Sequence, residues 1–294
     1  MIRIVRLVVL ILVGFCTPVL AQAVEGDDAP LRFGRFQYEG KTWYGFLSVG
    51  GMHQLDRSYF DPEARRTGKV IPLDEVVMLA PVVPSKVIGI AWNYKSHYDR
   101  GDGLKSDDLK FFAKLPSSVV ATGKAIIPPP GSSSLHYEGE MVIVIGAQAR
   151  NVPEEKADDY IFGVTIGNDV TERSFPFSPF DVLRSKGSDT MAPLGPWIVP
   201  GLSYDRLKLV TRLNGKVVQK TSTRKMVFSV KQIVSILSRY MTLEPGDVIY
   251  TGTPGRTSAM AYGDKIEVSL EGVGVLVNTV RKIGSKSDGQ SAGE

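Results

Sequence analysis

The sequence predicts a mostly β protein with a few helices and a small β-rich module at its N-terminal end. Three observations carry that prediction. Short apolar runs rich in β-branched residues recur along the chain, among them "EMVIVIGA", "YIFGVTIGND", "GDVIYTG" and "DKIEVSLEGVGVLVNTV". The stretch "RLNGKV" places Asn214 and Gly215 together, the pair that supplies the positive φ angles of a two-residue hairpin turn. Few segments read as helix, chiefly "SVKQIVSILSRYM", where Val230, Ile233, Val234, Ile236 and Leu237 form one apolar stripe.

Taken in order, residues 1–23 read as a secretory signal peptide. Arg3 and Arg6 precede an apolar run from Leu7 to Phe15, and the small residues Ala21 and Ala23 follow. That run is shorter than the roughly 20 apolar residues of a membrane span, so no stable span is expected once the leader is removed. Export, to the bacterial periplasm, is the expected localisation. Cys16 is the sole cysteine and would leave with the leader, so the mature chain is expected to fold without a disulfide. Residues 24–80 form the small module, because "LRFGRFQYEGKTWYGFLSVGG" alternates aromatic and polar residues between glycines. The proline-bounded "LAPVVPSK" leads into the main domain, residues 81–282, and residues 283–294 are a small polar tail expected to be disordered.

Composition narrows the function classes. With 43% hydrophobic and 22% charged residues the chain is an ordinary globular one, not a disordered one. The formal charge of +4 loses two arginines with the leader, leaving +2, and the basic residues lie dispersed among acids. No nucleic-acid partner is expected from such a distribution.

The chemistry lies in "SLHYEGEMVIVIG". Glu138 and Glu140 sit two apart at the head of an apolar run, so on a strand both carboxylates point to one face. Something positive must lie between them. Asp169 ends a second apolar strand 29 residues after Glu140, and three carboxylates meeting from two strands suit a hard divalent cation, Mg²⁺, Mn²⁺ or Ca²⁺. Without a cation, at least one of the three should take up a proton. By the same reasoning, removing Asp169 should relieve repulsion and leave the fold intact. The competing reading puts Glu138 and Glu140 on a wet sheet edge, paired with lysines. The unbroken "MVIVIG" argues against it, since such a run is covered on both faces.

The blocks "GIAWNYKSH", "YEGEMVIVIG", "GNDVTERS", "SKGSDTMAPLGPWIV", "RLNGKVVQ", "FSVKQIVSILSRYMTLEPGDVIYTGTP" and "GDKIEVSLEGVGVLVNTV" follow one another over roughly residues 84 to 280. In this set the chain resembles the fumarylacetoacetate hydrolase family, and within it the acylpyruvate-hydrolase-like branch. The resemblance implies a mixed β-roll, a homodimer, and a divalent cation, Mg²⁺ first among the candidates, held by Glu138, Glu140 and Asp169. It implies that His97 activates water, that Arg173 and Lys186 contact substrate, with Lys186 also serving catalysis, and that Thr253 bonds the substrate carboxylate.

The activity so implied is metal-dependent hydrolysis of a C–C bond in a 2,4-dioxo acid of the acylpyruvate or fumarylpyruvate type, through an enolate that the metal stabilises. Two alternatives stay open: decarboxylation, hydration or isomerisation of a 2-oxo acid at the same site, and binding of a 2-oxo acid without turnover. One departure bears on the choice. Hydrolytic members carry a glutamate three residues after the histidine, and here that residue is Arg100, with Asp99 one position earlier. The variable "DRGDGLKSDDLKFFAKLPSS" is expected to act as a lid over the substrate's distal group.

Overall fold

The computed structural model describes residues 30–98, 108–176, 178 and 181–284. The leader, Asp99, Arg100 and residues 285–294 lie outside the described residues. Strands β1 (Arg32–Tyr38), β2 (Lys41–Ser48), β3 (Gly51–Leu55) and β4 (Arg66–Ile71) form an antiparallel meander, with the two-residue β5 (Val77–Met78) beside β1. The chain continues through β6 (Val87–Ala91), helix α1 (Lys95–Tyr98), β7 (Lys110–Lys114), β8 (Val119–Ala121), β9 (Ala125–Ile126), β10 (Leu135–His136), β11 (Gly139–Ile145), β12 (Ile161–Asn168) and β13 (Thr171–Glu172). Helix α2 (Val182–Lys186), β14 (Ala192–Val199), the hairpin β15 (Lys208–Leu213) and β16 (Lys216–Ser222), helix α3 (Val230–Tyr240), β17 (Val248–Tyr250), β18 (Lys265–Leu270) and β19 (Gly274–Val280) complete it.

One sheet runs β4-β3-β2-β1-β14-β12-β11-β17-β6-β7 and a second runs β16-β15-β18-β19-β9. The molecule is thus mostly β, with few helices and an N-terminal β module. The hairpin turn falls where the sequence placed it, with Asn214 at φ 50° and Gly215 at φ 80°. Helix α3 also matches its sequence signal. Ser229 and Gln232 bond each other's backbone N–H in a capping box, and Val230, Ile233, Val234 and Leu237 are buried.

Strand β11 shows why its run is apolar on both faces. Met141, Ile143 and Ile145 pack with α3 and with Leu209, Val268 and Leu270 of the second sheet, while Val142 and Val144 pack with Phe33, Phe46, Leu55 and Tyr59 of the N-terminal module. Glu138 and Glu140 share the face of Val142 and Val144 by the two-residue period of a strand. No module residue lines the cavity that these acids face, so the strand passes from a covered core into an open site. Among the described residues, no helix is long and apolar enough to cross a membrane.

Candidate active site

A cavity of about 390 Å³ opens at the end of β11 and β12. Glu138, Glu140 and Asp169 lie on its wall, all buried, each offering an oxygen within 4.8 Å of the others. Backbone pairing builds this convergence. Asp169 N–H donates to the Glu138 carbonyl at 2.8 Å, and Glu138 N–H donates to Asn168 Oδ1 at 2.8 Å, so the two strand ends are locked in register.

Positive charge meets two of the three acids. Lys186, at the end of α2, donates to Glu138 Oε2 at 2.9 Å, Asp169 Oδ2 at 2.6 Å and Thr171 Oγ1 at 2.8 Å. Lys114, at the end of β7, donates to Asp169 Oδ1 at 2.5 Å, and Arg173 donates to Glu138 Oε1. Among the described residues, Glu140 receives only the Gly252 N–H, at 2.7 Å. Of the lysine pairing that the competing reading placed on a wet edge for both glutamates, Glu138 alone shows it among the described residues, and inside the protein.

Environment separates these groups. Burial works against the charge of both lysines. Lys186, facing two carboxylates, is still held above the ordinary lysine range by Asp169 and Glu138, whereas Lys114, bonded to the one carboxylate of Asp169 and to the Val170 carbonyl and repelled by Lys186, falls below it. Burial also pushes the Asp169 carboxyl up, but the two lysines outweigh it and hold the group below the usual range. At Glu140, burial and then the fields of Asp169 and Glu138 push the carboxyl well above the usual range. Among the described residues no side-chain cation bonds this acid, whereas Glu138 and Asp169 each have two. The buried Tyr94 hydroxyl, which feels the charge of Glu140, has no hydrogen-bond partner among the described residues. Three hard oxygen donors, one of them uncompensated, fit a divalent ion.

His97, on α1, lines the same cavity. Its Nε2 lies 3.0 Å from the Thr253 carbonyl, an acceptor only, so Nε2 carries the proton and Nδ1 is the basic nitrogen of the neutral ring. Thr253 also lines the cavity, but its hydroxyl donates to the Gly139 carbonyl at 2.9 Å and accepts from Gln219 Nε2 at 2.9 Å. A ligand would have to displace that bond to receive the hydroxyl proton. The structure thus brings together all seven residues singled out from the sequence: His97, Glu138, Glu140, Asp169, Arg173, Lys186 and Thr253.

Three further residues at the site were missed. Lys114 ends a strand, where a lysine reads as a solvated terminus, and nothing in "KFFAK" marks it as buried. His136 sits two residues before Glu138, so the spacing argument that joined the two glutamates would have found it. Its ring nitrogens are occupied by Ser134 Oγ at 3.1 Å and Thr257 Oγ1 at 2.9 Å. Arg256 lies on the loop after Thr253 and also lines the cavity. The segment expected to be a lid is in part a strand, since β7 occupies the edge of the main sheet and places Phe112 in the cavity wall.

A buried acidic triad at the wall of a cavity with a positioned imidazole defines a small-molecule enzyme with a divalent-metal site on a mixed β fold. Comparison with known proteins makes the assignment specific. Residues 86–281 match the fumarylacetoacetate hydrolase C-terminal model, residues 31–81 match an Rv2993c-like N-terminal model, and the chain belongs to the fumarylacetoacetate hydrolase family. It is 40% identical over 250 residues to an uncharacterised protein of Archaeoglobus fulgidus, covering 85% of this chain and 96% of that one. The structure of 2-hydroxyhepta-2,4-diene-1,7-dioate isomerase from Mycobacterium marinum superimposes with a TM-score of 0.79 at 35% identity, over 87% of this chain and 100% of that one. Maleylpyruvate hydrolase from Sphingobium sp. SYK-6, solved with manganese(II) and pyruvate, gives 0.69 at 25% identity, over 85% and 99%.

Proposed function

We propose that the protein is a metal-dependent enzyme acting on a 2-oxo acid by proton transfer at the carbon beside the keto group, an isomerase or tautomerase. The observation that carries this reading is the base itself. His97 shares a cavity with the acidic triad, and with its Nε2 held by a backbone carbonyl its Nδ1 is left to take a proton. An imidazole so placed suits a carbon acid whose acidity the neighbouring carbonyl already raises. Glu138, Glu140 and Asp169 would hold the ion. A divalent cation, Mg²⁺ or Mn²⁺, supplies Lewis-acid polarisation of the keto oxygen and stabilises enolate charge.

The remaining work falls to the protein. His97 Nδ1 takes a proton from one carbon and returns it to another. Lys186, whose three N–H bonds are all spent within the protein, contributes a fixed positive charge rather than a direct bond. Lys114 keeps Asp169 ionised. The M. marinum relative is an isomerase, which supports the reading.

Hydrolysis of a 2,4-dioxo acid is the second reading. It is favoured by the Sphingobium relative and by the same imidazole, which could act on water. The two separate by product. Protein loaded with Mg²⁺ is incubated in D₂O with a 2-oxo acid and with an acylpyruvate, and deuterium entry at C3 and pyruvate release are followed by NMR. Exchange or isomerisation without cleavage is expected, and His97→Ala should slow it by about 10²-fold or more. Cleavage of the acylpyruvate faster than exchange would replace the isomerase reading with the hydrolytic one. The homodimer and export with removal of residues 1–23 are carried as proposals, read by light scattering and by N-terminal sequencing from the native host.

A further inference from the structure

Strand β17 pairs with Val142, Ile143 and Val144 of β11. Further along that edge, toward the acids, two side chains take over. At Gly139, between Glu138 and Glu140, the N–H donates to Gln219 Oε1 at 3.1 Å and the carbonyl accepts from Thr253 Oγ1 at 2.9 Å. Gln219 Nε2 in turn donates to Thr253 Oγ1 at 2.9 Å and to the Pro254 carbonyl at 2.8 Å. These partners fix the orientation of the amide, since a backbone N–H needs its oxygen and a backbone carbonyl needs its nitrogen. Its oxygen and both N–H groups are therefore engaged by one buried side chain that comes from β16 of the second sheet. The hold continues to the base. The Thr253 carbonyl bonds His97 Nε2, and Gln219 grips Thr253 by its hydroxyl and Pro254 by its carbonyl.

Strand β16 is shaped to deliver this residue. Thr211 of β15 faces Gln219 whereas Arg212 faces Val217, so two residues of one strand span three of the other. A bulge of this kind re-aims a side chain. Val217 stands 47% exposed and Gln219 only 6%, the reverse of what polarity alone would give. We infer that Gln219 is a positioning residue that sets the base against the acids. One amide fixes both the backbone between two members of the triad and the loop whose carbonyl fixes the tautomer of His97. The inference rests on the reading of His97 as the base. A carbonyl held in place keeps the proton on Nε2 and leaves Nδ1 bare. Without the amide, Thr253 and Pro254 lose their anchor to β16, and the Gly139 N–H becomes a buried donor lacking its acceptor.

The test reads the ring directly. NMR of the imidazole nitrogens is recorded on isotope-labelled wild type, Gln219→Met and Gln219→Glu at a pH well above the ordinary histidine range. His97→Ala assigns the signal among the three histidines. Gln219→Met keeps the length of the side chain without its hydrogen-bonding amide, while Gln219→Glu keeps an acceptor for Gly139 and loses both N–H donors. Wild type should show the Nε2–H form alone, and both variants a mixture with Nδ1–H. Mn²⁺ affinity by calorimetry should fall about tenfold in Gln219→Met, the scale for a residue that supports a metal ligand, and hold in Gln219→Glu. Exchange at C3 in the D₂O assay above should slow by about tenfold or more in both, as a displaced base requires. A merely structural glutamine would lower stability to urea and leave the ring as in wild type. Mixed tautomers in wild type, the pure Nε2–H form in either variant that folds by circular dichroism, or wild-type Mn²⁺ affinity in Gln219→Met overturns the inference. Wild type that exchanges no 2-oxo acid overturns the functional reading, and the ring and metal measurements still decide the placement of His97 by Gln219.

Discussion

Lys114 and Lys186 both bond Asp169, yet they make Asp169 and Glu140 unequal members of one triad. Asp169 answers two buried cations, so replacing it strands Lys114 without a carboxylate and leaves Lys186 with Glu138 alone. Breaking a buried pair in this way costs about 3–5 kcal/mol, and Asp169→Asn should therefore destabilise the protein on that scale. This reverses the expectation from sequence that losing Asp169 would only relieve repulsion. Glu140 bonds no cation among the described residues, and Glu140→Gln removes an unpaired carboxylate while preserving shape. Its stability to urea without divalent ions should equal or exceed that of wild type. Its affinity for Mg²⁺ or Mn²⁺ should fall by more than about 10²-fold, since even outer partners of a metal are worth about 10–100-fold. Urea unfolding and calorimetric titration of both variants check this, and wild-type metal affinity in Glu140→Gln would end the metal assignment. The triad was legible because strand period puts Glu138 and Glu140 on one face. Lys114 was not, because burial of a strand-end lysine depends on what the chain brings back from a distance.

At the level of the strand, the glycine between the two acids has its own cause. Gly139 faces away from the cavity toward the second sheet, where an added Cβ would lie 2.2 Å from Thr211 Oγ1 and 3.0 Å from a Val268 methyl. The second sheet approaches β11 this closely only because no side chain is there. Gly139→Ala should therefore destabilise by about 1–3 kcal/mol through overpacking. It should also displace Glu138 and Glu140 together, so that metal affinity falls although no ligand has changed. Denaturant unfolding and metal titration read the two effects, and unchanged affinity would show that β11 accommodates the methyl without moving. Strand period and turn chemistry made β11, the Asn214-Gly215 hairpin and α3 readable from local sequence. Sheet order was not readable in that way. The parallel pairing of β6 with β17 joins Val87 to Val248, and no local pattern encodes a partner 161 residues away.

Across the whole molecule, the N-terminal module is part of the main sheet and not an appendage to it. Phe33 pairs with Ile198 of β14, and its ring meets Phe46, Tyr59 and Phe162 at centroid distances of 5.9, 5.5 and 5.5 Å. The cluster it anchors also holds Val142 and Val144, the residues that follow Glu140 along the same strand face. Loss of the module would uncover that face, so the module supports the strand that carries two of the three acids. Phe33→Ala should cost about 3–5 kcal/mol, the scale for truncating a buried aromatic. The loss should appear as one transition. Trp43 lies in the module and Trp197 in β14, and both pack against the cluster formed by Phe36, Met52 and Ile71. Unfolding followed by tryptophan fluorescence and by far-ultraviolet circular dichroism should therefore coincide in wild type and in Phe33→Ala, as two-state behaviour requires. Metal affinity should hold until that shared transition and vanish with it. An earlier fluorescence transition, with metal still bound after it, would mean that the module opens independently and that β11 keeps its acids in place without it.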